Sequence, residues 1–240
     1  VGIWWFGFAQ ITLNVLPKGN INVVRNNSNV FKTGFLELKK VWQQVKHLPV
    51  LKRFLYSFFW YSAGIQTVFL ASAQFGAKEL HLPTTKLIIT IMIIQLVAIP
   101  GAIFISRLSE KIGNIKTLIW VVSVWVLLCI GGYFIKTDLQ FYILGALVGL
   151  VMGGIQSLSR STYANLMPKT KDTASFFSFY DVTEKIALVL GMFSFAYVEE
   201  LTGSMRNSVL ALVLFFFLGF LFLVWTFRTQ KNQPIENRSA

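Results

Sequence analysis

Apolar residues in this chain gather into stretches of membrane-crossing length, separated by short polar connections that are mostly basic. A bilayer core about 30 Å thick needs about 20 apolar residues as helix. Stretches of this kind occupy 1–16, 51–77, 86–106, 117–135, 140–162, 174–198 and 207–227. The first is short and opens on Val1-Gly2-Ile3-Trp4-Trp5, with no initiator Met, basic leader or cleavage site. It is expected to be the end of a membrane helix, with chain missing before it. The other six have full spanning length and predict a bundle over 51–230. The connections near 78–85, 136–139 and 199–206 are short, which predicts antiparallel neighbours in a compact bundle.

Residues 17–50 read differently. Phe35, Leu38, Trp42, Val45 and Pro49 recur every three or four positions, while Lys39, Lys40, Gln43, Lys46 and His47 take the opposite face. Thr33 and Glu37 suit a helix start and Pro49 a stop, so an amphipathic helix is expected at about 34–48. Beside a membrane such a helix lies in the interface, as a strut joining two halves of a larger protein. A solvated linker is the alternative. Residues 18–32, rich in Asn and Gly, read as a flexible connection.

Composition removes the soluble alternatives. The chain is 55% hydrophobic and 13% charged, with mean hydropathy +0.61; a soluble domain carries about a quarter charged residues. The net charge of +12 would point to nucleic acid in a soluble protein. Here the basic residues lie between apolar stretches, where they act as topology signals and headgroup contacts. No nucleic-acid motif is present, and no nucleic-acid partner is expected. Alternate connections differ sharply. One set holds Lys18, Arg25, Lys32, Lys39, Lys40, Lys46, Lys52, Arg53, Arg107, Lys111, Lys116, Arg160, Lys169, Lys171, Arg228, Lys231 and Arg238; the other holds only Lys78, Lys86, Lys136 and Arg206. The first set is therefore expected on the cytoplasmic side, with the 17–50 loop and the 231–240 tail. The single cysteine, Cys129, excludes an intramolecular disulfide. His47 and His81 are far apart, and metalloprotease, P-loop and serine-hydrolase motifs are missing, so no metal, cofactor or catalytic residue is expected.

Ionisable residues within spans are the first candidates for function, because each costs about 2.5–3.5 kcal/mol on insertion scales. The stretch 174–198 carries Asp181, Glu184 and Lys185. Counted from Ala174 at 1.5 Å per residue, Asp181 lies about 10 Å in and Lys185 about 16 Å in, near mid-membrane. Asp181 and Lys185 are four residues apart with the acid first, which predicts an ion pair. Glu184 points about 60° away from Asp181 and needs its own partner. These charges serve either a substrate or ion pathway or a structural pair, with Asp181 reaching back to the interface. On 51–77, Tyr61 and Gln66 either line a cavity or bond between helices, and Gly64 permits a bend or a close approach. On 140–162, Gly145, Gly149 and Gly153 repeat every fourth residue and predict close helix packing; Gln156 and Arg160 continue that face. Gln95 and Pro100 are weaker candidates, with Pro100-Gly101 read as a kink. The connection after 101 places Glu110 beside Lys111 with Gly113 three residues on, which predicts a tight turn clasped by charge.

That connection resembles the loop motif of the major facilitator superfamily, roughly Gly-x-Leu-x-Asp-Arg-x-Gly-Arg-Lys. Leu108 and Gly113 are retained, Ser106 replaces the first Gly, Glu110 and Lys111 replace Asp-Arg, and Asn114 departs from the basic position; Arg107 falls inside the motif. The run from Gln156 to Arg206 resembles the "unknown major facilitator" branch, the bacterial relatives of the autophagy-related vacuole amino-acid effluxer. Gln156-Ser157-Leu158-Ser159-Arg160-Ser161, Pro168, Phe176-Phe177, Tyr180, Lys185, Gly191 and Thr202-Gly203-Ser204-x-Arg206 match its pattern. Tyr61-Ser62-Ala63-Gly64-Ile65-Gln66-Thr67 follows the branch's Tyr-Asn-Asp-Gly-x-Gln-Thr, without the acid.

The resemblance implies an all-α polytopic membrane protein, the six-helix C-terminal half of a major facilitator fold, helices seven to twelve, after the end of helix six. It implies a secondary transporter of a small solute such as an amino acid, moved by alternating access in a bacterial cytoplasmic (inner) membrane, with an N-terminal six-helix half as partner. Lys185 would then meet an anionic group, Gln66, Tyr61 and Gln156 would supply hydrogen bonds, and Asp181 or Glu184 would carry the ion or proton. A non-transporting sensor or assembly partner on the same scaffold is the rival expectation. An intramembrane enzyme would have to rest on Asp181 and Glu184 alone.

Overall fold

The computed structural model describes residues 2–15, 30–170 and 172–231, and among them the protein is all helix. The helices are α1 (Gly2–Val15), α2 (Val30–Lys46), α3 (Pro49–Glu79), α4 (Thr84–Ile112), α5 (Asn114–Phe134), α6 (Asp138–Leu166), α7 (Thr173–Thr202) and α8 (Met205–Lys231). The chain divides into two compact units, Val1–Leu36 and Glu37–Ala240. In the first unit α1 is a single apolar helix. The Asn/Gly-rich connection expected at 18–32 falls largely on residues 16–29, outside the described residues, as does all but Lys231 of the expected tail.

Each of the six long helices outlasts its apolar stretch by a few residues at one or both ends, because polar residues that cap or turn the chain still belong to the helix. Thr137 caps α6 in a reciprocal box with Gln140. Asp172 caps α7 by accepting from Ser175 N at 3.4 Å. Gly203, with φ +67°, ends α7 in the left-handed conformation that glycine adopts without a Cβ clash. By length and composition α4, α5, α6 and α8 suffice to cross a membrane. The remaining two, α3 and α7, are the longest at 31 and 30 residues. They carry the polar residues of the site described below, which lowers their apolar content without shortening them.

Close backbone approach sets the packing of the second unit. A Cβ on Gly149 would lie 2.4 Å from the Ile94 carbonyl oxygen, one on Gly153 2.5 Å from that of Ala98, and one on Gly101 2.1 Å from that of Leu150. Gly145 faces the Thr90 methyl. Small residues thus seat α6 directly on α4, as a membrane environment favours where apolar burial alone supplies little drive. On the other side, Gly191 of α7 lies against Ala63 and Thr67 of α3, and Gly219 of α8 against Tyr61. Trp125 and Phe216, fully buried and stacked at 5.4 Å, join α5 to α8.

The connection between α4 and α5 differs from expectation. Arg107, Glu110 and Lys111 are exposed and form no ion pair among the described residues. The turn closes on Gly113 instead. At φ +91° its N–H donates to Ser109 O at 2.9 Å, and its carbonyl accepts from Thr117 N and Oγ1. Charge side chains on an exposed turn gain little from pairing, whereas the backbone hydrogen bonds are obligatory. The amphipathic helix is also shifted. It starts at Val30, so Thr33 lies inside it, and its buried face runs through Val41 and Val45 with Trp42 half-buried.

At the end of the bundle with the short 78–85, 136–139 and 199–206 connections, three of the four basic residues meet an acid. Lys78 pairs with Glu199 at 2.9 Å, Lys86 with Asp138, and Arg206 with Glu79 at 3.2 Å. Arg206 also donates to the carbonyls of Tyr133 and Ile135 at 2.7 and 2.6 Å, while Glu79 accepts from Met205 N at 2.8 Å. This clasp ties the ends of α3 and α5 to the start of α8.

Two outcomes follow for stability in detergent. Gly149→Ala forces the α4 backbone away and should cost about 1–3 kcal/mol, seen as a lower Tm, whereas Gly131→Ala, whose Cβ meets nothing closer than 3.9 Å, should be neutral or stabilising. Arg206→Ala removes the cation from Glu79 and the donor from two carbonyls and should cost about 1–3 kcal/mol in the same assay.

Candidate functional site

The polar residues of three helices converge on one cavity of about 270 Å³. Tyr61, Ser62 and Gln66 come from α3, Gln156, Ser157, Ser159 and Arg160 from α6, and Tyr180 and Glu184 from α7; Phe58, Ile65 and Ile155 complete the wall. On α3, Tyr61, Ser62, Ile65 and Gln66 fall at helical spacings of three and four, so one face of the helix lines the space. The same spacing on α6 brings Gln156, Ser159 and Arg160 to one side. The approach of α7 at Gly191 sets Glu184, two turns earlier, beside α3.

The hydrogen bonds knit the three helices. Gln66 Nε2 donates to a Glu184 carboxylate oxygen, joining α3 to α7 inside the bundle. The Tyr61 hydroxyl and Ser159 Oγ share a bond of 2.7 Å, joining α3 to α6 with both groups buried. The Tyr163 hydroxyl donates to Phe176 O at 2.8 Å, tying α6 to the first turn of α7. An aromatic cluster closes one end: Tyr180 stacks on Phe58 at 4.1 Å, Tyr163 lies against Tyr180 at 4.9 Å, and Tyr61 meets Phe58 edge-on.

Asp181 does not pair with Lys185. Its carboxylate accepts from Arg160 at 2.6 Å across the α6–α7 boundary, and Arg160 also lies 5.6 Å from the Tyr180 ring centre. Arg160 is planar and reaches from the neighbouring helix, so the pair forms between helices instead of along one. Both side chains are about half exposed, 55% and 49%. The guanidinium is thereby balanced, and Glu184 is left as the carboxylate of the cavity without an ion pair among the described residues.

Of the candidates named from sequence, Tyr61, Gln66, Gln156 and Glu184 line this cavity and Asp181 sits at its rim through Arg160. Lys185 is elsewhere. One residue on from Glu184 it turns about 100° around the helix. It is exposed among Val182, Ile186 and Val189, with no partner among the described residues. Gly145, Gly149 and Gly153 lie at the α4–α6 contact, away from the polar residues. Gln95 is exposed on α4. Ser62, which shares a helix face with Gln66, lines the cavity too, as do Ser157 and Ser159; Ser157 also donates to the carbonyls of Gly153 and Gly154. For Ser159 the signal was its position three residues after Gln156 and beside Arg160.

In the motif Tyr61–Thr67 the position that lacks the acid lies at a close helix contact. Ala63 is fully buried, and a Cβ on Gly191 would lie 2.5 Å from its carbonyl oxygen, so α7 packs directly on this turn of α3. The cavity's carboxylate comes from α7 itself and bonds to Gln66 of the same motif. Among the described residues no cluster of His, Cys, Asp and Glu is arranged to hold a metal ion.

Comparison with known proteins gives one consistent answer. The family described as "Vacuole effluxer Atg22 like" matches residues 1–234. A Bacillus subtilis protein named "Uncharacterized MFS-type transporter YxiO" is 30% identical over 203 residues, covering 84% of this chain and 47% of that protein. "Autophagy-related protein 22" of Eremothecium gossypii is 30% identical over 235 residues, covering 90% and 46% respectively. The protein of that name from Cryptococcus neoformans is 26% identical over 239 residues, covering 88% and 40%. The chain thus spans about half the length of the curated relatives it matches. No solved structure matches it. It is an integral membrane protein of major facilitator type, and it belongs to the vacuole effluxer Atg22-like family.

Proposed function

We propose that this chain is one six-helix half of a secondary transporter that moves a small solute of the amino-acid class by alternating access. The observation that carries the reading is the polar cavity between α3, α6 and α7, with a single unpaired carboxylate, Glu184, held by Gln66. Building such a site among apolar helices costs insertion energy, and polar groups at that depth characteristically mark a pathway. The relatives' names, an MFS-type transporter and a vacuole effluxer family, agree with it.

In this reading Tyr61, Gln66 and Gln156 hydrogen-bond the solute, and Glu184 takes up and releases the coupling proton. Protonation of Glu184 leaves Gln66 free to turn its amide oxygen toward the acid, so the bond survives with its direction reversed. The Arg160–Asp181 pair sits at the cavity's rim, where it opens and closes without leaving a buried charge. Lys185 stands on the outer face of α7 near mid-membrane. It faces the second six-helix body, where it meets an anionic group, that of the solute included. That second body, joined to this chain or separate, completes the path. The connections rich in Lys and Arg lie in the cytoplasm of a bacterial cell, with the membrane the inner one.

One observation favours a non-transporting sensor on the same scaffold. Ala63 stands where the related pattern has an acid. The two readings separate by experiment. Reconstituted together with its six-helix counterpart, the protein should accumulate an amino acid in proteoliposomes when a proton gradient is imposed. Glu184→Gln should lower gradient-driven uptake at least about tenfold, equivalent to 1.4 kcal/mol, while leaving solute exchange without a gradient intact. Equal loss of both makes Glu184 a binding or folding residue, and absence of any transport supports the sensor. Orientation is checked in a Cys129→Ser background with a membrane-impermeant maleimide on intact cells. Lys136→Cys should label, and Thr170→Cys should label only after the membrane is opened.

A further inference from the structure

A second site lies outside the polar cavity, where α2, α3 and α8 meet at the bundle end rich in Lys and Arg. Four aromatic rings form a row across the three helices. Trp42 of α2 meets Tyr56 of α3 edge-on at 6.4 Å, Tyr56 meets Phe222 of α8 at 5.9 Å, and Phe222 meets Trp225 at 6.0 Å. A cation lies over each end of the row. Lys46 Nζ is 5.9 Å from the Trp42 ring centre, and the Arg53 guanidinium is 3.9 Å from that of Trp225. Tyr56 and Trp225 are exposed, at 36% and 45%.

Neither cation has a carboxylate partner among the described residues. That contrasts with the opposite end, where Lys78, Lys86 and Arg206 are each paired with an acid. Stacking on a ring fixes a cation in place but leaves its charge uncompensated. Exposed Tyr and Trp at the end of a membrane bundle are the residue types that sit at headgroup level, apolar body inward and polar tip outward. An apolar aromatic strip flanked by two fixed, unpaired cations is complementary to one kind of molecule in particular: an acyl chain beneath a negatively charged headgroup.

We propose that this surface is a specific binding site for an anionic phospholipid. Arg53 holds the headgroup phosphate, an acyl chain lies along Phe222 and Tyr56, and Lys46 at the other end of the row adds to the attraction for the anionic lipid. Arg53 is the stronger anchor, because its planar guanidinium presents several donors to phosphate oxygens while its face rests on Trp225. The lipid would bridge α2 to α8. Trp42 also stacks on Phe179 of α7 at 6.0 Å, so occupancy would steady the helix that carries Glu184.

The test uses the purified whole chain in detergent, with phosphatidylglycerol and phosphatidylcholine as probes and retained lipid read by native mass spectrometry. The chain should retain phosphatidylglycerol in preference to phosphatidylcholine. Lys46→Gln with Arg53→Gln should weaken phosphatidylglycerol retention about tenfold to thirtyfold, the effect expected for two basic residues at an anionic surface. Removing the same charge as Arg107→Gln with Lys111→Gln, exposed on α4, should change it by less than about twofold. Equal loss in both double variants means diffuse surface charge and overturns the site, as does equal retention of the two lipids by the unaltered chain. A measurement free of variants stands beside it. A photoreactive phosphatidylglycerol should cross-link to peptides containing Tyr56 and Trp225, and cross-links confined to other helices contradict the proposal. Soluble glycerol 3-phosphate should not displace the lipid; displacement would make this a site for a free phosphate and overturn the assignment to a lipid.

Discussion

Everything at the cavity depends on how closely α7 can approach α3. Gly191 permits it: the position where its Cβ would stand is 2.3 Å from Thr67 Oγ1 and 2.5 Å from Ala63 O, so the α7 backbone lies directly against this turn of α3. Any larger residue would push α7 outward, and Glu184, on the same helix, would lose the reach to Gln66. A half-buried carboxylate without that bond would lose its hydrogen-bond partner within the bundle. Close packing of small residues and satisfaction of a half-buried polar group are therefore one constraint here. The same device recurs at Gly219 against Tyr61, which holds α8 behind the residue whose hydroxyl bonds Ser159. At Gly149 and Gly153 it seats α6 on α4.

The two ends of the bundle are built on different electrostatic terms. At one end acids neutralise the few basic residues, and Arg206 gathers a carboxylate and two helix-end carbonyls into a clasp. Such a cluster resists movement, because removing any member leaves the others unpaired. At the other end most cations are exposed, and Lys46 and Arg53 lie on aromatic rings with no acid. The cavity sits between these ends, its rim crossed by the half-exposed Arg160–Asp181 pair. Exposed pairs are worth little, so this one separates at small cost. The arrangement has a rigid end and a yielding one.

Much of the architecture could be read from the chain because six apolar runs of spanning length admit few alternatives. Helix ends could not be read as well: Thr137 and Asp172 fall outside any apolar run and Gln140 only opens one, yet they cap helices. For the site, Tyr61, Gln66, Gln156 and Glu184 stood out as polar residues in apolar surroundings, and they share one cavity. The partner of Asp181 was hidden because helical spacing looks along one helix, and Arg160 reaches it from the next. The clasp of Glu110 and Lys111 was misread for the opposite reason. Adjacent opposite charges look paired in sequence, but on an exposed turn the backbone bonds of Gly113 decide the geometry. On α2 the stripe through Phe35 and Pro49 overlooked Val41, which lies four residues before Val45 on the buried face, whereas Phe35 and Pro49 are exposed.

The central claim is that Glu184 is the cavity's own carboxylate, held by Gln66, and distinct from Asp181, which pairs with Arg160. A membrane-permeant carbodiimide, which reaches carboxyls in apolar surroundings, tests it directly when labelled peptides are identified by mass spectrometry. Glu184 should be modified, and Asp181 spared while Arg160 is present. No modification of Glu184, or equal modification of Glu184 and Asp181, would contradict the account.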